Sequence, residues 1–265
     1  MGWEEEYLDL ILVPSGLLIM FGYYLYLLYR CLKHTDTTVI GYENHIKRTW
    51  IERMLQVEPK DRGQAMSVIG SNMSAATSMS SISLTLSSLI GAWVGSSSQN
   101  IFKSGFIYGD TSSSTISIKY ISLLACFLLA FACFVQSARY FVQVNFFISM
   151  PNCEIPVKYV QKAMLRGGVF WSVGLRALYL AVTLLLWIFG PIPMFVSSVI
   201  LVVIMHNLDT NSNPLHQFQP ANKHNLLKKI GEEISAVARA NTMKDRVRMD
   251  QVELQIHNTA DHLHD

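Results

Sequence analysis

Cysteine is scarce in this chain: Cys31, Cys126, Cys133 and Cys153 are the only four, and none forms a CxxC pair. That excludes a disulfide framework or a thiolate zinc site as the organising device. Cys31 follows the first apolar segment, where a juxtamembrane thiol is either palmitoylated or simply idle. Charge is also sparse, at 15% of 265 residues against 51% apolar, where a soluble domain carries about 25% charged. A net charge of +2, with no basic run interleaved with aromatics, argues against a nucleic-acid partner. Enzyme signatures are lacking too: the chain has no GxSxG, HExxH or P-loop, and no pair of carboxylates within one apolar segment. No catalytic residue, metal ligand or cofactor is therefore expected. His257, His262 and His264 read as part of a polar terminus and not as metal ligands.

What the chain does have is long uncharged intervals. No Asp, Glu, Lys or Arg occurs from Leu10 to Tyr29, Gly63 to Phe102, Tyr120 to Ala138 or Ala177 to Leu208. A hydrocarbon core of about 30 Å takes about 20 helical residues, so each interval is near or above the length of a crossing. The first follows Glu4, Glu5 and Glu6, the wrong charge to precede a secretory signal, and reads as a retained span. Glu6 also breaks the myristoylation pattern that begins at Gly2.

The predicted fold is all-α: a polytopic transmembrane bundle with spans at about 8–29, 70–95, 118–137, 168–189 and 192–208. The first contains Pro14 and Gly16 as a kink and ends in an aromatic belt of Tyr23, Tyr24, Tyr26 and Tyr29. In the second, ten positions between Ser71 and Ser88 are Ser or Thr. Their hydroxyls either line a polar path or allow close packing while bonding to their own i−4 carbonyls, and their all-round distribution favours packing. The third continues past Arg139 until Pro151, so its end should project beyond the bilayer. Pro191 and Pro193 divide the last apolar stretch in two, which gives five spans, or four with a re-entrant hairpin around Pro191. Lys and Arg number seven from Arg30 to Arg62, one from Ser96 to Ser117, four from Ala138 to Arg166 and seven after Leu208. That alternation fits five spans, with an extracytosolic N-terminus and a cytosolic C-terminus.

Outside the membrane, Ile46, Trp50, Met54 and Val57 recur at helical spacing among charges, the pattern of an amphipathic helix on the membrane surface with Trp50 at the headgroups. Residues 210–265 form a cytosolic tail. A proline-marked linker there precedes a helix carrying Leu227, Ile230, Ile234 and Val237 on one face, a surface for a protein partner or for lipid.

Arg176 is the one charge deep inside a span. With no acidic residue at its expected depth, Asn72, Gln136 and backbone carbonyls are its expected acceptors, making a buried polar cluster that serves as an anion-attracting site or an interhelical lock. The chain then leaves two functional classes open. One is a channel- or transporter-like conduit, suggested by the hydroxyl-rich and kinked spans. The other is a non-enzymatic membrane-anchored scaffold acting through its tail.

Several blocks appear in a fixed order: Thr38 to Gly41 with Arg48 and Trp50, Arg139 to Asn145, Gly174-Leu-Arg176 with Tyr179, Leu186 to Pro191, and Asn207-Leu-Asp209. In these the chain resembles the plant and bacterial membrane family called domain of unknown function 599, over roughly residues 8 to 210. The resemblance implies a polytopic membrane protein and supplies no activity, ligand or catalytic residue. The chain departs from the family pattern at Gly70 and Ser71, where an Arg-Asn pair commonly opens the second span.

Overall fold

The computed structural model describes residues 2–95, 113–150, 156–211 and Ser235. It divides into two compact units, Met1–His216 and Gln217–Asp265. The second unit, which holds the expected tail helix, lies outside the described residues apart from Ser235. The expected domain boundary at 209/210 falls seven residues before this division.

Among the described residues, six α-helices build the first unit: α1 (Gly2–Lys33), α2 (Val39–Gln56), α3 (Gly63–Gly95), α4 (Ser113–Ser149), α5 (Val157–Trp187) and α6 (Pro191–Asp209). Among the described residues the only β pairing is an isolated antiparallel bridge, Thr38 to Thr210. The fold is all-helical, as the uncharged intervals predict. Every expected span lies within a helix that overruns it, apart from the 168–189 interval, whose last two residues form the turn after α5. The 37 residues of α4 make a helix about 56 Å long, well beyond a 30 Å hydrocarbon core.

Among the described residues four helices, α1, α4, α5 and α6, are long and apolar enough to cross a membrane. The remaining long one, α3, has 33 residues and no charge, but its serines and threonines dilute its apolar content. Its packing nevertheless follows the other helices from end to end. Ala65 and Ile69 of α3 are buried with Ile148 and Val160, whereas Ile90 is buried with Val13, Leu123, Trp187 and Met194. Those positions put about 37 Å of α3 alongside the bundle.

The break between α5 and α6 has a local cause. Gly190 takes φ 145°, a conformation that L side chains rarely adopt, and Pro191 opens the next helix at a position where its missing N–H costs nothing. From there α6 runs parallel to α1. Near its start Ser198 approaches Gly16 so closely that a Cβ on the glycine would lie 3.0 Å from the serine Oγ, and at its end Asp209 meets Tyr23. Between these two contacts the helix keeps to α1 for about 17 Å. α1 continues through Pro14 as one helix, with the Ser15 hydroxyl donating to the Ile11 carbonyl at 2.6 Å.

α2 is helical as its periodicity predicts, but its apolar face packs on protein. Ile51 is fully buried, and Trp50, Met54 and Leu55 pack against a core formed by the ends of α3, α4 and α5. Arg62 ties this region together: Nε donates to Val57 O (2.8 Å), Nη2 to Leu55 O (3.0 Å) and Nη1 to Ile148 O (3.2 Å). One cation thus satisfies carbonyls at the C-terminal ends of both α2 and α4, where the helix dipole also favours positive charge. Facing outward, the long helices present carbon, with Leu18 72% and Ile121 66% exposed.

Candidate functional site

Side chains on a helix lean toward its N-terminus. The N-terminal end of α5 lies at the end of the bundle where α6 finishes, so the long Arg176 side chain points toward Asp209. One terminal nitrogen, Nη2, straddles both Asp209 carboxylate oxygens at 3.1 Å each, while Nη1 donates to Ser172 O at 3.1 Å. The Tyr23 hydroxyl of α1 donates to Asp209 Oδ2 at 2.9 Å, and that of Tyr24 donates to the Arg176 carbonyl at 3.2 Å. The charged side chains are 19% and 17% exposed. One cation and one anion thus neutralise each other among hydroxyl donors, an arrangement that makes partial burial of both tolerable.

This network continues to the chain around it. Arg30 Nη2 donates to Thr37 O at 2.9 Å, and the Asn211 amide donates to the same carbonyl at 3.0 Å. The Thr38 side chain, fully buried, accepts from the Gly41 amide at 3.2 Å and donates to Thr35 O at 3.1 Å, which starts α2. The junction between α1 and α2 is therefore held against the residues that follow α6.

The structure does not bring the expected trio together. Among the described residues no hydrogen bond joins Arg176 to Asn72 on α3 or to Gln136 on α4. Asp209 takes the place expected for them. Sequence distance along α5 fixed the depth of the Arg176 backbone, but not the reach of its side chain toward the end of the bundle. The useful signal was present: Gly174-Leu-Arg176 and Asn207-Leu-Asp209 are both among the blocks that carry the family resemblance, and Asp209 directly follows an uncharged interval.

A second polar group occupies the opposite end of the same interface. Trp187 Nε1 donates to Asp9 Oδ1 at 2.9 Å, and Lys119 Nζ lies 5.3 Å from the Trp187 ring centroid. Asp9 is 8% and Lys119 4% exposed. Asp9 borders the first uncharged interval and reads in sequence as a boundary charge; its burial follows from the approach of Trp187. Tyr23 lies about 21 Å further along α1. Between these ends the bundle is filled by Met20, Ala130, Phe134 and Ala181, all fully buried, with the Thr183 hydroxyl turned back to Leu180 O at 2.7 Å.

The family model described as protein of unknown function, DUF599, matches residues 11–214, and the chain belongs to that family. No curated protein and no solved structure matches it. The matched region includes Arg176, Asp209 and Tyr23, so the network lies within the part of the chain that defines membership.

Proposed function

We propose that this DUF599 protein is a non-enzymatic membrane scaffold: a closed bundle that holds a helical platform, formed by α2 and the ends of α3, α4 and α5, at one membrane surface. The observation that carries this reading is the close-packed middle of the bundle, where Met20, Phe134 and Ala181 are fully buried between the two polar ends and the buried Thr183 and Ser198 hydroxyls donate to their own helices. A conduit needs a polar or wettable route between them. In this reading the Arg176–Asp209–Tyr23 network is an interhelical lock. Its anion position is filled by the protein's own carboxylate, which argues against an anion-attracting role.

Five crossings go with this proposal. Lys119 and Arg139 bound about 30 Å of α4, Asp9 and Arg30 about 31 Å of α1, and Arg166 and Trp187 about 31 Å of α5. Each interval matches a hydrocarbon core. The basic end, carrying Arg30, Arg139 and Arg166, is then cytosolic.

A conduit is the second reading, favoured by the buried charge pair itself, since ionisable residues inside a membrane often mark ion paths. Flux into liposomes separates the two. A proton or chloride leak indistinguishable from protein-free vesicles is expected; a leak that Arg176→Gln abolishes would establish the conduit.

A further inference from the structure

Arg139 lies on α4 at the boundary between the apolar interval and the basic end, and it is exposed. Neither helix of its groove offers it a counter-charge: α3 has no charged residue, and α4 carries only Lys119 besides. The ion pairs among the described residues are Lys47–Glu43, Lys60–Glu58 and Arg176–Asp209, and no hydrogen bond or ring contact engages Arg139. A guanidinium left this way at headgroup depth is a strong site for an anion that can accept its fork of donors.

Beside it, α3 and α4 leave an open groove of about 640 Å³. Its lining includes Ser74, Ser78 and Arg139, with Met73, Ile82 and Val142 contributing carbon surface. The hydroxyls of α3 fall into two groups. Thr77, Ser81, Thr85 and Ser88 each donate to the carbonyl four residues back, at 2.9 to 3.1 Å. Ser74 and Ser78, one turn apart and exposed, make no hydrogen bond among the described residues, so their donors are unspent where the groove meets Arg139. Exposed, unspent donors and an unpaired cation above a carbon floor complement a group that is anionic at one end and apolar at the other.

We infer that this groove binds the phosphate of an anionic phospholipid from the leaflet at the basic end, with Arg139 pairing with the phosphate, Ser74 and Ser78 donating to its oxygens, Met73 and Val142 flanking the headgroup, and an acyl chain running along Ile82 toward the middle of the bilayer. The site rests on α3 crossing the bilayer beside α4. A wrong crossing would appear in terminal topology tags, whereas a wrong site would leave the tags unchanged.

Native mass spectrometry of the full chain in detergent, titrated separately with dioleoyl phosphatidylglycerol and dioleoyl phosphatidylcholine, tests the site. Tighter retention of phosphatidylglycerol is expected, weakened about tenfold by Arg139→Gln and less by Arg139→Lys. The Ser74→Ala/Ser78→Ala pair should also weaken it. Arg166→Gln removes the same charge from α5, where the guanidinium lies 6.0 Å from the Tyr140 ring centroid, and should leave retention unchanged. Displacement by millimolar inorganic phosphate would assign the site to a free phosphate; no displacement would assign it to the lipid. Equal retention of the two lipids, or equal loss in Arg139→Gln and Arg166→Gln, overturns the site in favour of general surface charge. Quantitative crosslinking between two copies carrying Ser78→Cys overturns it by showing that a second copy fills the groove.

Discussion

Arg176 and Asp209 stand 33 residues apart in the chain and meet across α5 and α6, the guanidinium nitrogen Nη2 lying 3.1 Å from each carboxylate oxygen. Removing either partner leaves the other charge partly buried without its counter-ion, which costs about 3 kcal/mol or more. Arg176→Leu and Asp209→Asn should each lower the thermal midpoint in detergent markedly, and Arg176→Lys less, since an ammonium lacks the fork that also reaches Ser172 O. The double variant Arg176→Leu/Asp209→Leu should recover much of the loss. Additive single losses in the double-variant cycle would mean that the two side chains do not act as a pair.

Tyr23→Phe deletes one charge-assisted hydrogen bond, 2.9 Å to Asp209, and leaves the ring in its contacts. The expected cost is about 1 to 2 kcal/mol. In the Asp209→Asn background the same substitution should cost less, because the hydroxyl then serves a neutral acceptor. A Tyr23→Phe protein with the parent's stability would exclude this hydroxyl from the lock.

These relationships show what the sequence could and could not disclose. Uncharged intervals are set by the bilayer's thickness, so they located each apolar helix but not its full length, α5 beginning eleven residues before the expected 168, and Pro191 with Gly190 marked the turn. Partners between helices are set by rotation and side-chain direction, which a single chain's spacing does not encode. For that reason Arg176 was legible as a buried charge, whereas Asp209 and Asp9 resembled ordinary boundary residues until α6 and Trp187 were seen against α1. The same gap explains α2. Its apolar face suits lipid or protein equally well, and only the overrun of α4 and α5 supplies the core that buries Ile51.

Gly41 should resist substitution more than any change in helix propensity accounts for. A Cβ there would run into the Thr35 backbone carbonyl, which cannot swing aside as a side chain can. Gly41→Ala is expected to disrupt the α1–α2 junction and reduce the yield of folded protein, read as the monodisperse fraction in size-exclusion chromatography. Gly91→Ala is the control, because a Cβ there meets nothing within 4 Å. It should be neutral or slightly stabilising, as alanine is the better helix former. Similar behaviour of the two variants would rule out the close approach at Thr35.

Arg62→Ala should loosen the platform while sparing the membrane bundle. The guanidinium's three acceptors, Val57 O, Leu55 O and Ile148 O, all lie at the ends of α2 and α4. Hydrogen exchange should therefore rise in residues 50–69 and 141–149 and stay unchanged around Tyr23 and Asp209. Arg62→Lys should be intermediate, since one ammonium cannot reach three carbonyls in the same geometry. Uniform exchange increases throughout the bundle would show that the platform and the spans unfold as one unit.

Five crossings place the two chain ends on opposite sides of the membrane, and four place them on the same side. The case for five is that α3 is buried against Ile148 near its start and against Trp187 and Met194 near its end, spanning the bundle despite its hydroxyl content. Polar hydroxyls are admissible at that depth because Thr77, Ser81, Ser83, Thr85 and Ser88 all donate to their own helix. Reporter tags should accordingly place the N-terminus outside the cytosol and the C-terminus within it, and truncation after Pro220 should leave both assignments and membrane insertion intact. Cysteines introduced at Gly63 and Gly91, near the two ends of α3, should be labelled by membrane-impermeant maleimide from opposite faces. Labelling of both from one face would return α3 to the membrane surface and reduce the count to four.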